Sequence, residues 1–323
     1  MEPYRGYGIT IPFDRVPLHA QRDRIAELSE LGYTDAWSAE TDGADAFTPL
    51  ALTSQWAPSL RLGTAIVPVF TRGPAVIAQS ALAMAQAAPG RFVLGLGTSS
   101  DVIVGRWNGI AFDEPYKRVR DTVRFIRSAF TGEKITETYD TFSIRGFKLS
   151  AVPEQRVPIL IAALREGMLN LAGREGDGAI INWLSADDVG RVAPIVNAHG
   201  EDKEIVARIF VVPSEDTETV RAQAKFAIAA YLNVPVYAAF HEWLGRGPQL
   251  QGMWDAWKAG DRSAALAAIP DEVVDQLIVH GSYEQCRAHI QRYIDNGVTT
   301  PALAVLGMAG VDTEEAVRQL TPR

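Results

Sequence analysis

The segment Arg61–Asp101 opens with Arg-Leu-Gly-Thr-Ala-Ile-Val-Pro at 61–68, reads Phe-Thr-Arg-Gly-Pro-Ala-Val-Ile-Ala-Gln at 70–79, and ends with Pro-Gly-Arg-Phe-Val-Leu-Gly-Leu-Gly-Thr-Ser-Ser at 89–100. Two apolar runs, each too short to form a helix alone, flank a run with helical spacing. This order is typical of a strand–helix–strand unit whose two strands are buried in a parallel sheet. The loops after such strands commonly hold ligands.

The same alternation runs along the whole chain. Strands are predicted at 6–11, 34–39, 61–67, 91–96, 157–162, 178–183, 205–212 and 301–306. Helical spacing marks 18–31, 47–57, 74–87, 114–130, 166–174, 186–198, 216–231 and 283–296. Ser185 is placed to cap the helix at 186–198, and Ser282 is placed to cap the helix at 283–296.

Eight strand–helix units without a break in composition predict one (β/α)₈ TIM barrel domain over residues 1–323. An open, doubly wound sheet is the alternative. Two stretches exceed a minimal barrel and are predicted as insertions on the active-site side. Residues 131–156 are polar, with possible strands at 139–144 and 147–149, and residues 232–280 read as helical segments rich in Trp and His.

Composition limits the classes of function. The chain has 323 residues, of which 47% are hydrophobic and 22% charged, so a large core is expected. A net charge of -8 argues against a nucleic-acid partner. Cys286 is the single cysteine, and no apolar run approaches the length of a membrane span. We therefore expect a cytoplasmic protein with a small-molecule substrate and no membrane partner; the five histidines lack metal-ligand spacing, so no metal is expected.

The loop after the fourth predicted strand begins like the G-x-G-x-x-G dinucleotide fingerprint. Ser100 replaces the third glycine, and residues 102–109 do not predict a convincing helix, so the fingerprint fails. The loop still offers backbone N–H groups and hydroxyls at the carboxyl end of a barrel strand, where barrel active sites gather. We predict that it contacts a ligand, with a solvated turn as the alternative. The residues concerned are Gly97, Thr98, Ser99 and Ser100.

These motifs resemble those of the bacterial luciferase-like superfamily of flavin and deazaflavin oxidoreductases, and within it the branch that uses coenzyme F420. The resemblance is densest over residues 30–130 and 155–185, and the segments 70–79, 90–98 and 172–178 favour the F420 branch. It implies a TIM-barrel dehydrogenase or reductase that transfers a hydride at C5 of the deazaflavin, and a homodimer. An FMN-dependent monooxygenase is the alternative within the superfamily.

The resemblance also implies how the cofactor is held. In this superfamily a cis peptide bond between non-proline residues follows the third strand and supports the central ring. The matching bond here joins Ala65 and Ile66, or Ile66 and Val67 if the register shifts by one residue. Asn182, at the end of the sixth predicted strand, is placed to meet the polar edges of the ring.

The loop after the fifth predicted strand is where the family binds the cofactor phosphate. In this chain it reads Ala162-Ala163-Leu164-Arg165 and leads into a helix, whose N-terminus suits an anion. Leu164 and Arg165 replace a glycine pair that is common in the family. Arg165 is expected to compensate through a direct charge-assisted contact.

Ser38, Ala39 and Glu40 follow the second predicted strand and align with the ring-side site of the family, so Ser38 and Ala39 are expected to contact the cofactor. Sugar-phosphate dehydrogenases of the F420 branch have a histidine in place of Glu40 and a catalytic glutamate in place of Ser100. Glucose-6-phosphate is therefore not the expected substrate. Glu40 is predicted to bind the cofactor or to move a proton near it, with a solvated loop carboxylate as the alternative. For the protein as a whole, the alternative to an enzyme is a barrel that binds a deazaflavin or lipid without turnover.

Overall fold

The computed structural model describes residues 2–322, so only the two end positions of the predicted domain lie outside it. Its strands are β1 (Gly8–Thr10), β2 (Asp35–Ser38), β3 (Arg61–Thr64), β4 (Val67–Pro68), β5 (Phe92–Gly97), β6 (Ile135–Thr138), β7 (Ser143–Phe147), β8 (Ile159–Ala162), β9 (Gly178–Asn182), β10 (Glu204–Val212), β11 (Ile278–His280) and β12 (Thr300–Val305).

The helices are α1 (Arg22–Glu27), α2 (Phe47–Trp56), α3 (Pro74–Ala87), α4 (Pro115–Ala129), α5 (Glu166–Glu175), α6 (Ala186–Asn197), α7 (Thr217–Leu232), α8 (Pro235–Trp243), α9 (Gly247–Lys258), α10 (Arg262–Ala267), α11 (Asp271–Leu277), α12 (Tyr283–Asp295) and α13 (Thr313–Gln319). Short 3₁₀ and π-helical turns occupy Leu18–Ala20 and Val102–Trp107.

Eight parallel strands close into a barrel in the order β1, β2, β3, β5, β8, β9, β10, β12, because β12 pairs with both β10 and β1. The closed ring confirms the TIM barrel and excludes the open sheet. Each predicted strand lies within about two residues of a barrel strand. Ser185 and Ser282 form capping boxes at the starts of α6 and α12, as predicted.

The two insertions differ in detail from the sequence prediction. Residues 139–142 connect β6 and β7 as the end of a hairpin and are not a strand, because Tyr139 and Phe142 fold back to pack on Phe125. The second insertion contains α8 to α11, as expected, but ends in β11, which extends the sheet beside β10. Among residues 2–322, no helix is long and apolar enough to cross a bilayer.

The interior of the barrel is arranged in levels. At the amino-terminal end of the strands, Arg61 pairs with Glu204 at 2.7 Å and with Asp35 at 3.2 Å, and all three side chains are nearly buried. Above them the indole of Trp37 lies across the middle of the barrel. A Cβ at Gly63 would lie 2.1 Å from this ring, so only glycine leaves room for the indole.

We predict that Gly63→Ala destabilises the protein by about 2 kcal/mol, because the added methyl group forces the indole of Trp37 out of its place. Urea unfolding followed by circular dichroism measures the change. Gly190→Ala is the matched control. This exposed α6 glycine has open space around it and should gain up to about 1 kcal/mol. Equal stability of the two variants would contradict the packing argument.

Candidate active site

The carboxyl ends of the barrel strands surround a mouth lined by small residues. Ala39, Ala65, Gly97 and Ala162 end or follow four consecutive strands. A cavity beneath them reaches Thr10, Trp37 and Arg208, among other residues, and is bounded on further sides by Ser38, Ile180, Val206 and Ala302. Small side chains at the rim leave room for a flat ligand above the indole.

The bulge after β3 forms one wall of this mouth. The Ala65–Ile66 peptide bond is cis, in the register that the family resemblance gave first. The Ala65 N–H donates to the Ser38 carbonyl at 2.6 Å, and the Glu40 N–H donates to the Ile66 carbonyl at 3.3 Å. A Cβ at Gly97 would lie about 3.0 Å from the Ile66 side chain. The bulge is thus fixed to β2 and packs closely on β5.

Glu40 is held at the rim by an arginine that the sequence analysis left without a role. The Arg72 guanidinium, from the loop before α3, donates to the Glu40 carboxylate at 2.9 Å from Nη2 and at 3.1 Å from Nε. The Ala46 N–H adds a donor at 3.3 Å, and Asp45 lies 3.4 Å from the same guanidinium. Glu40 is therefore fixed in place, and its side chain is only 19% exposed. Arg72 could have been identified from the sequence as a rim residue, because it follows a buried apolar strand and its loop.

Ser38 and the Gly97–Ser100 loop have partners of their own. The Ser38 hydroxyl is buried and donates to the Ala46 carbonyl. Ser38 would therefore contact a ligand in the mouth mainly through its backbone. Ser99 adopts a left-handed conformation with φ of 61°. Ser100 accepts a hydrogen bond from the Ile103 N–H and starts the π-helical turn. No regular α-helix follows this loop: β-branched residues and a glycine disfavour one there, and a π-helical turn forms over Val102–Trp107.

The loop after β8 leads directly into α5. The Ala163 N–H donates to the Ile180 carbonyl, so this amide is used in the sheet. Leu164 is partly buried, and Arg165 is exposed at the position before α5, with no side chain capping the helix. The N–H groups of the first turn of α5 and the Arg165 guanidinium therefore face solvent at the rim.

On the far side of the mouth lie residues that were not predicted apart from Asn182. The Oδ1 of Asn182 accepts the Trp183 N–H at 3.0 Å, which leaves its amide nitrogen as a donor. Tyr237 of α8 contacts this amide, and burial raises the pKa of its phenol to about 12, so it stays a neutral donor. Arg208 of β10 pairs in register with Asn182. Arg208 could have been identified from the sequence, because it is a charged residue with apolar residues on both sides within a predicted strand.

Several buried polar atoms around the cavity have no protein partner within residues 2–322. These are Thr10 Oγ1, Trp37 Nε1 and Arg208 Nε. Buried polar groups are nearly always hydrogen-bonded, so these three atoms need partners from outside the chain, either water or a ligand with polar edges. Carbonyl oxygens or ring nitrogens of a ligand would suit them as acceptors.

Further aromatic and histidine residues that follow the barrel strands or lie in the second insertion have varied positions. Trp183 is buried at the end of β9 and packs on Phe210 at 4.2 Å and Tyr231 at 4.8 Å. His241 lies behind Trp183, and Trp107 is 57% exposed. Within residues 2–322, no group of three or more histidine, cysteine or acidic side chains could hold a metal ion.

The chain was compared with known proteins. The model of a family described as luciferase-like monooxygenase matches residues 5–300. An F420-dependent glucose-6-phosphate dehydrogenase of Rhodococcus jostii is 38% identical over 254 residues, which cover 74% of this chain and 71% of that protein. A 5,10-methylenetetrahydromethanopterin reductase of Methanolobus tindarius is 27% identical over 91% of this chain and 92% of its own length.

Among solved structures, the coenzyme F420 dependent tetrahydromethanopterin reductase of Methanopyrus kandleri superposes with a TM-score of 0.81. The aligned region covers 98% of this chain and 97% of the reductase, at 16% identity. This likeness shows that the two chains share the same fold.

His241 gives a test of how the mouth is held. Its Nε2 lies 3.0 Å from the carbonyl oxygen of Trp183, a residue with a φ of 54°, and it therefore supports a strained turn at the rim. Burial, reinforced by the positive charge of Arg246, lowers the pKa of His241 from 6.5 to about 4. Between these values the unfolded chain binds a proton that the folded protein does not, so stability falls as the pH falls from about 6.5 toward 4.

We predict that His241→Gln reduces the loss of stability between pH 7 and pH 5 by about 2 kcal/mol. The Gln side-chain nitrogen takes the place of Nε2 and can donate to the Trp183 carbonyl, but it does not titrate. Urea unfolding at the two pH values measures the difference. His199→Gln, at an exposed histidine that bonds Asn170, is the control and should keep the wild-type pH dependence. An unchanged slope in His241→Gln would show that this histidine is not buried in its neutral form.

Proposed function

Because the chain belongs to the luciferase-like monooxygenase family, and its relatives over most of its length are F420-dependent enzymes, we propose that it is a coenzyme F420-dependent oxidoreductase. It would transfer a hydride between C5 of the deazaflavin and a small organic substrate. The observation that carries this proposal is the cavity at the barrel mouth, where the buried Thr10 Oγ1 and Trp37 Nε1 lack protein partners beneath a rim of small residues.

When bound, the cofactor supplies the hydride chemistry, and the protein supplies position and environment. Ala65 and Ile66 would support one face of the ring, with Ala39 and Gly97 at its edges. Thr10 and Trp37 would donate to polar atoms of the ring from below. These contacts would hold the ring in one orientation and keep water from one of its faces.

The anionic tail would lie at the loop after β8. Leu164 and Arg165 would offer their backbone N–H groups, and the Arg165 guanidinium a direct charge. Ala163 would contribute packing only, because its N–H is already bonded to Ile180. Thr98, Ser99 and Asn182 would complete the contacts around the rim.

Glu40 would handle a proton or bind the cofactor beside the ring. Its pairing with Arg72 fixes the direction of the carboxylate, and Asp45 shares the same guanidinium. The identity of the substrate is open, and glucose-6-phosphate is disfavoured by Glu40 and Ser100. We also propose one domain, a homodimer and a cytoplasmic location, each as a prediction from the family or the composition.

We predict that the protein binds F420 with micromolar affinity and takes up FMN poorly. Arg165→Ala should weaken F420 binding about tenfold, because a charge-assisted contact to the phosphate is lost. Fluorescence titration of the deazaflavin measures both affinities. The same titration with the deazaflavin chromophore lacking the phosphate should give equal values for the wild type and Arg165→Ala. Tight FMN binding without F420 binding would favour the monooxygenase alternative.

We predict that Glu40→Gln lowers the turnover number at least tenfold and changes F420 affinity little, because the amide keeps the shape but cannot accept a proton. Oxidation of reduced F420, followed at its visible absorbance, is screened against ketones, enones and imines, with glucose-6-phosphate tested in the reverse direction. Asp45→Asn removes the other carboxylate on Arg72 and should retain activity. Equal turnover in the two variants would argue against a role of Glu40 in the reaction.

A further inference from the structure

The guanidinium of Arg208 is the unusual charge at the barrel mouth. Arg208 lies in β10, where its neighbours are apolar, and it shares the cavity wall with Val206. It makes no ion pair and donates no hydrogen bond to any of residues 2–322, and its Nε is fully shielded from solvent. The residue as a whole is partly buried, and a donor that is shielded from water without a partner costs free energy. Such a side chain is therefore suited to receive an anion from outside the protein.

The surroundings of Arg208 add direction and shape. Its guanidinium carbon lies 5.0 Å from the ring centre of Phe210, which packs on Trp183 at 4.2 Å. Tyr237 brings a neutral hydroxyl close to Arg208 and contacts the side chain of Asn182, the residue that pairs with Arg208 in register. One guanidinium and one phenol thus stand against an aromatic wall.

Arg208 lies on the opposite side of the barrel from Ile66, the residue that would support the cofactor ring. In the ring of eight strands, β3 and β10 stand four places apart and so face each other across the barrel. Ile66 follows β3, and Arg208 lies in β10. A flat cofactor supported on the side of Ile66 would turn its open face toward Arg208, and that open face is where a substrate must lie.

Resting on the proposed function, we propose that Arg208, with Tyr237, binds the carboxylate of an acidic organic substrate. A guanidinium presents two parallel N–H groups that match the two oxygens of a carboxylate. The aromatic wall of Phe210 and Trp183 suits a flat or apolar body next to that carboxylate. The substrate class is therefore a small carboxylic acid that carries the oxidisable or reducible carbon beyond its carboxylate.

Benzoate and benzamide are the probes, because they share one shape and differ in charge. Isothermal titration calorimetry is run on the F420-loaded and the cofactor-free protein. We expect the wild type to prefer benzoate by about tenfold or more, Arg208→Gln to lose this preference, and Arg208→Lys to keep part of it. Arg262→Gln is the control, since Arg262 stacks on Trp257 at the surface, and it should match the wild type.

Three results would overturn the assignment. They are equal binding of benzoate and benzamide by the wild type, an undiminished preference in Arg208→Gln, and binding of inorganic phosphate without benzoate. A tenfold loss of F420 affinity in Arg208→Gln, with the benzoate preference intact, would also overturn it and assign Arg208 to the cofactor. Failure of the wild type to bind F420 counts against the proposed function alone, since the cofactor-free titration tests Arg208 independently.

Discussion

The position of the Trp37 indole is the constraint on which the mouth of the barrel depends. The ring fills the middle of the barrel and is tolerated because Gly63 and Gly8 have no side chains beside it. With this level filled, the residues above it can be small without leaving the barrel hollow. The indole thereby forms the floor of a shallow site, and its N–H has no hydrogen-bond partner among the described residues.

Two kinds of polar group share the rim, and they behave differently. Glu40 has its partners within the protein, because Arg72 and the Ala46 N–H satisfy its carboxylate. Arg208 and Thr10 have none among the described residues. The first kind is preorganised before any ligand arrives, and the second is completed by the ligand. A site of this type gains orientation from the satisfied groups and selectivity from the unsatisfied ones.

The sequence was a good guide to the barrel because burial of parallel strands leaves a strong apolar signal, as over residues 205–212. It was also a good guide to the rim, since carboxyl ends of strands meet there. It failed where side chains meet across long separations: nothing near Tyr237 indicates contact with Asn182. The sequence also gave no indication that the Ser38 hydroxyl donates to the Ala46 carbonyl, eight residues later. Arg208 was visible as a charge within an apolar strand, but its orientation required the register of β9 and β10.

The buried ion pairs of Arg61 with Asp35 and Glu204 close the opposite end of the barrel, and Tyr4 stacks on the same guanidinium at 3.9 Å. With that end closed, ligands of the barrel interior would come and go at the carboxyl ends of the strands. Cofactor and substrate would then share one route of entry, so the first to bind narrows the path of the second.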